Sequence, residues 1–175
     1  MTWRHIEVRP ISGAIGAEIY GVDLSRDLPD AVIAEIRQAW LDNLVIFFRD
    51  QTMTPAQQLA LAKRFGEPVE YPFIRGLPDF PEITPVVKLA HEKVNFGGLW
   101  HTDTTYQQRP PMASMLYALE LPPYGGDTLF ANCYLAYDTL SDGMKAMLDP
   151  LTGIFSSHKG RVVDTRAARA ADSPK

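Results

Sequence analysis

The apolar positions of the chain change period several times, and each change predicts an element. Residues 6–24 set Ile11, Ile15, Ile19 and Val22 between Gly13, Gly16 and Gly21, a pattern of short extended pieces broken by turns. Pro29 suits the first turn of a helix, and Val32, Ile33, Ile36, Ala39 and Trp40 then keep an i, i+3/i+4 apolar stripe. Residues 44–48 are a continuous apolar run of strand length, closed by Arg49 and Asp50, and read as a buried strand. Thr54, Pro55 and Gln57 have the spacing of a capping box. They predict a second helix carrying Leu59, Ala62 and Phe65, with Gly66 as a left-handed stop.

Beyond this point the pattern weakens. Pro68, Pro72, Pro78, Pro81 and Pro85 exclude a long regular element from 67–85 and predict an irregular segment that covers a site. Two strand-like runs follow at 113–119 and 128–131, the second after the turn residues Pro122-Pro123-Tyr124-Gly125-Gly126. Residues 134–148 predict one or two short helices with Tyr137, Leu140, Met144 and Met147 on one face. The last 17 residues hold five basic and two acidic side chains, with only Val162 and Val163 as sizeable apolar groups. A solvated loop or disordered tail over 159–175 is expected.

Composition narrows the classes. The 175 residues suit one domain, and 46% hydrophobic with 22% charged residues is ordinary for a globular chain. A net charge of −4 lacks the basic footprint of nucleic-acid binding. The single Cys133 excludes an internal disulfide and a Cys-rich zinc site. No apolar run approaches about 18 residues and the first ten residues lack an apolar signal core, so neither a membrane partner nor export is expected; the default location is the cytoplasm.

The stretch Gly97-Gly98-Leu99-Trp100-His101-Thr102-Asp103 carries the candidate chemistry. On a strand, residues i and i+2 share a face, so His101 and Asp103 would project together. An imidazole nitrogen beside a carboxylate oxygen is two-thirds of the two-His-one-carboxylate triad that holds Fe(II) and leaves positions open. The plainer alternative has His101 donating to Asp103 or to a nearby carbonyl in a tight turn. The spacing alone leaves both open.

Further blocks extend the motif. Trp100-His101-Thr102-Asp103, Arg109-Pro110-Pro111 and Gly125-Gly126-Asp127-Thr128-Leu129-Phe130 together resemble the taurine dioxygenase / 2,4-D dioxygenase (TauD/TfdA) family. The earlier blocks Ile15-Gly16-Ala17-Glu18-Ile19, Gly21-Val22-Asp23-Leu24, Phe48-Arg49-Asp50-Gln51, Thr54-Pro55 and Arg64-Phe65-Gly66 agree in order and spacing, so the resemblance spans residues 6–150. It implies an Fe(II)- and 2-oxoglutarate-dependent dioxygenase that uses O2 on a small organic acid, such as a sulfonate or aryloxyalkanoate, and releases succinate and CO2. It implies an α+β chain with a double-stranded β-helix (jelly roll) core and flanking helices, and leaves a homo-oligomer open. It also implies roles. His101 and Asp103 are the first two iron ligands, Thr128 hydrogen-bonds the distal carboxylate of 2-oxoglutarate, and Tyr71, Asn95 and Tyr106 lie where the family touches its substrate.

Two departures qualify these implications. Sulfonate-oxidising members carry a histidine where this chain has Tyr71, which weakens the case for taurine itself. The family's second iron-binding histidine and its 2-oxoglutarate-binding arginine fall beyond residue 175, as do the last jelly-roll strands. The chain is therefore expected to be a single partial domain, the N-terminal part of a dioxygenase subunit. His158 is the third-ligand candidate within the chain. Lys159, Gly160 and Arg161 follow it, with little apolar sequence to hold it, so its plainer reading is a polar residue at the end of an element. Two other classes stay open: a fragment inactive by itself that acts as a binding partner, and a hydrolase using the His101/Asp103 pair with another cation.

Overall fold

In the computed structural model, which describes residues 2–89, 91 and 97–157, the first two extended pieces pair. Strand β1 (Glu7–Pro10) runs antiparallel to β2 (Ala17–Tyr20), with Val8 opposite Ile19. The reversal between them uses Gly16 at φ 95°, where a side-chain carbon would lie 2.9 Å from the Ile11 side chain. Helix α1 (Asp30–Asn43) crosses over and returns the chain to β3 (Ile46–Phe47), which pairs parallel with β2. The result is a mixed three-stranded sheet in the order β1-β2-β3 with a helix packed on it. In β2, Ala17 and Ile19 are buried and Glu18 and Tyr20 are not, the alternation of a sheet with one covered face.

The predicted stripe of α1 places Ile33, Ile36 and Ala39 in the core with Ile6, Ile19, Leu24 and Leu61. The strand expected at 44–48 is shorter and only half-buried, because Leu44 takes φ 68° to cap α1 and only Ile46 and Phe47 reach the ladder. Helix α2 (Pro55–Lys63) starts on the capping box: Thr54 accepts from the Gln57 backbone N–H and the Gln57 side chain accepts from that of Thr54. Its buried residue is Leu61; Leu59, Ala62 and Phe65 are half-buried, and Phe65 packs on the core from beyond the helix end. Gly66 is not a left-handed stop. Arg64 caps the helix in the right-handed region, and the Gly66 N–H donates to Ala62 without the reversal that a positive φ serves.

Several family-like blocks turn out to be braces. Arg64 donates to Asp27, Asp30 and the Leu28 carbonyl, tying the end of α2 to the start of α1. The Gln51 amide accepts from the Leu24 N–H at 2.8 Å and donates to the Arg49 carbonyl at 2.9 Å. Glu35 on α1 accepts from the backbone N–H groups of Arg4 and His5, each at 3.0 Å. Burial pushes its carboxyl up, but these N–H groups, together with the Ile6 N–H and the nearby His5 side chain, hold it below its usual range.

Two compact units emerge. The first, Met1–Pro68 with Met115–Leu151, holds the sheet, the helices and every buried residue among those described. The runs at 113–119 and 128–131 are not strands, since neither has a backbone ladder partner among the described residues. Side chains anchor the parts of them that lie in this unit. The Tyr117 hydroxyl accepts from the Met53 N–H and donates to the Gln51 carbonyl, and Phe130 meets Phe47 edge-on at 6.1 Å. Residues 134–148 resolve into α3 (Cys133–Asp138) and α4 (Asp142–Leu148), capped by Asn132 and Ser141. Their predicted apolar face is largely exposed at Tyr137, Met144 and Met147.

The second unit comprises Val69–Ser114 and the described residues from Thr152 on, and it is built from turns. As expected, 67–85 is irregular, with one isolated bridge between Leu77 and Phe80. Residues 158–175, and with them His158 and the expected tail, lie outside the described residues, as does Asn95.

Candidate metal centre

His101 and Asp103 do come together, but on a turn rather than a strand. The reversal is shaped by Gly97 at φ 70° and Thr104 at φ 51°, with the Gln107 N–H closing onto the Thr104 carbonyl at 2.9 Å. His101 Nε2 lies 3.1 Å from Asp103 Oδ1, and His101 Nδ1 lies 2.6 Å from the Leu99 carbonyl oxygen. The other carboxylate oxygen, Oδ2, accepts from the Ser114 hydroxyl at 2.8 Å. The two side chains are 51% and 60% exposed, so the pair is open to solvent and to solutes.

These contacts determine what the pair can do. A carbonyl only accepts, so Nδ1 must carry the hydrogen given to Leu99. In the neutral imidazole, Nε2 then turns its lone pair toward Asp103 Oδ1. Two acceptors at 3.1 Å are held together by a cation between them, either a proton or a metal ion. The first occupant corresponds to the plain reading of the motif and the second to the ligand reading. For the second, the geometry fits: two donors at right angles, each about 2.1 Å from one ion, lie about 3.0 Å apart. A ligating histidine whose other nitrogen donates to a carbonyl, beside a carboxylate that is itself hydrogen-bonded, is the usual supporting arrangement of metal sites. Among the described residues no third His, Cys, Asp or Glu joins the pair.

The remaining candidates separate. Tyr71 and Tyr106 are brought together in the second unit through Phe73, whose ring lies 5.8 Å from that of Tyr71 and 5.7 Å from that of Tyr106. Thr128 belongs to the first unit and is exposed, directly after Gly125 at φ 76°, Gly126 at φ 74° and Asp127. Sequence reasoning missed Ser114 and Phe73, whereas the Leu99 carbonyl is the nearby carbonyl of the plainer alternative. Phe73 has a weak signal, the i, i+2 spacing from Tyr71. A hydroxyl 11 residues away leaves no periodic trace.

Comparison with known proteins gives a consistent picture. The family model described as "Taurine catabolism dioxygenase TauD, TfdA family" matches residues 7–174. An alpha-ketoglutarate-dependent sulfate ester dioxygenase of Pseudomonas putida is 37% identical over 87% of this chain and 50% of its own length. An (S)-phenoxypropionate/alpha-ketoglutarate-dioxygenase of Sphingobium herbicidovorans is 32% identical over 95% of this chain and 58% of its own. Among solved structures, a taurine dioxygenase from Burkholderia xenovorans superposes with a TM-score of 0.73 at 39% identity, covering 83% of this chain and 51% of that one. The chain spans about half the length of these relatives.

Proposed function

Since the chain belongs to the taurine catabolism dioxygenase TauD, TfdA family, we propose that it carries the first two metal ligands of an Fe(II)- and 2-oxoglutarate-dependent dioxygenase acting on a small organic acid with O2. The observation that carries this reading is the approach of His101 Nε2 to Asp103 Oδ1, with Nδ1 tied back to Leu99. His101 and Asp103 would hold the iron; bound iron and 2-oxoglutarate supply the oxidising chemistry, with succinate and CO2 as products. The protein's part is to fix the ligands. Leu99 selects the tautomer of His101, and Ser114 engages the far oxygen of Asp103.

Thr128 takes the distal carboxylate of 2-oxoglutarate through its hydroxyl, after a turn whose two glycines carry no side chains. Tyr71 and Tyr106, with Phe73 between them, and Asn95 contact the substrate. The relatives named for a sulfate ester and for phenoxypropionate support a sulfate ester or aryloxyalkanoate. A phenol stands at Tyr71, lacking the positive charge an imidazole can carry, which weakens the case for taurine itself. Both units belong to one jelly-roll domain in this reading.

The test is succinate formation by the protein that carries this chain, with Fe(II), ascorbate, 2-oxoglutarate and a panel of sulfate esters, sulfonates and aryloxyalkanoates. Turnover that needs both Fe(II) and 2-oxoglutarate and disappears in His101→Ala and Asp103→Ala is expected. Turnover indifferent to those two substitutions, or hydrolysis without 2-oxoglutarate, contradicts it.

A further inference from the structure

The carboxylate of Asp103 has two chemically equivalent oxygens, and the fold treats them differently. Oδ1 faces His101 Nε2 at 3.1 Å, whereas Oδ2 accepts a hydrogen bond from Ser114 Oγ at 2.8 Å. The direction of that bond is fixed, because an ionised carboxylate only accepts and the hydroxyl has one hydrogen to give. Ser114 is 11 residues further along the chain but in the same unit as the pair, so the contact is made by the fold and not by local spacing. Asp103 is mostly exposed, and burial does little to restrict its rotation. Without a partner on Oδ2, the carboxylate could present either oxygen, or both, to a cation.

We propose that Ser114 is a positioning residue for Asp103. By occupying Oδ2 it makes Asp103 a one-oxygen ligand and holds Oδ1 at the separation from His101 Nε2 that one ion requires. The inference rests on His101 and Asp103 being metal ligands. Outer partners of this kind change metal affinity by roughly 10–100-fold when removed. Ser114→Ala deletes the hydroxyl and should weaken the site, whereas Ser114→Thr keeps a hydroxyl on the same carbon and should rescue it.

The experiment is a titration of the labelled protein that carries this chain with Mn(II), following paramagnetic broadening of the His101 ring Cε1–H signal, which reports weak binding without any turnover. Wild type is expected to broaden, and Asp103→Ala to lose the effect. Ser114→Ala should bind at least about tenfold more weakly, and Ser114→Thr should stay within about threefold of wild type. Should Ser114→Ala not fold, Ser114→Cys decides, since its thiol fills similar space but donates weakly. Ser114→Ala (or Ser114→Cys in its place) binding as wild type does, while Asp103→Ala does not bind, overturns the role of Ser114 and leaves the metal site standing. Ser114→Thr binding as weakly as Ser114→Ala overturns it as well. No broadening in wild type, or broadening unaffected by Asp103→Ala, removes the metal site and this inference with it.

Discussion

Gly97 presents its bare α-carbon to the imidazole of His101: a side-chain carbon there would lie 3.1 Å from Cε1 and 3.6 Å from Nε2. Gly97 also sits at φ 70°, a conformation that costs an L-residue about 1–2 kcal/mol. Space and backbone both select glycine at this position. Gly97→Ala should therefore push the imidazole off the Leu99 carbonyl and weaken metal binding by roughly 10-fold or more. Metal affinity of the variant, measured beside its thermal midpoint, checks this; an unchanged affinity would show that the ring does not depend on the backing of Gly97.

Gly76 is constrained by space alone. A side-chain carbon there would fall 2.0 Å from the Pro81 carbonyl oxygen, a backbone atom that cannot step aside. The turn it borders is closed by Leu77 N–H to Ile83 O at 2.9 Å and Ile83 N–H to Phe80 O at 3.0 Å. Gly76→Ala should open this turn at a cost of about 1–3 kcal/mol, the usual range for forced overpacking. Hydrogen exchange of the Leu77 and Ile83 amides is the readout. Protection equal to wild type would contradict the close approach.

Glu35 predicts a pH dependence. The N–H groups of Arg4 and His5 hold its carboxyl below the usual range against the opposing effect of burial. A lowered folded value contributes stability that is fully present above the unfolded value and is lost as the pH falls through the folded one. Glu35→Gln should then be less stable than wild type near neutrality, and the gap should narrow as the pH drops below the ordinary carboxylate range. Denaturant midpoints of both proteins across acidic pH test this; a constant gap contradicts it.

What the sequence disclosed divides by the range of the interactions. The capping box at Thr54, Pro55 and Gln57 and the stripe through Ile33, Ile36 and Ala39 are local, and both were legible. A strand is a property of a pair, so the β-rich runs at 113–119 and 128–131 looked right alone and formed no ladder among the described residues. Leu44 was read as strand because a positive φ at a leucine leaves no compositional mark. The His101/Asp103 pair was found by its i, i+2 spacing, yet a turn brings the two together where a pleat was expected. Ser114 was invisible to any window shorter than the 11 residues that separate it from Asp103. Gln51 and Arg64, quoted within family-like blocks, act here as braces for the first unit.

The central claim is that one metal ion sits between His101 and Asp103. Anomalous difference density from Mn(II)-soaked crystals tests it most directly. One peak is expected about 2.0–2.3 Å from both His101 Nε2 and Asp103 Oδ1, with Ser114 Oγ still on Oδ2. A map with no peak there, with His101 Nε2 and Asp103 Oδ1 in direct hydrogen-bond contact, would contradict it.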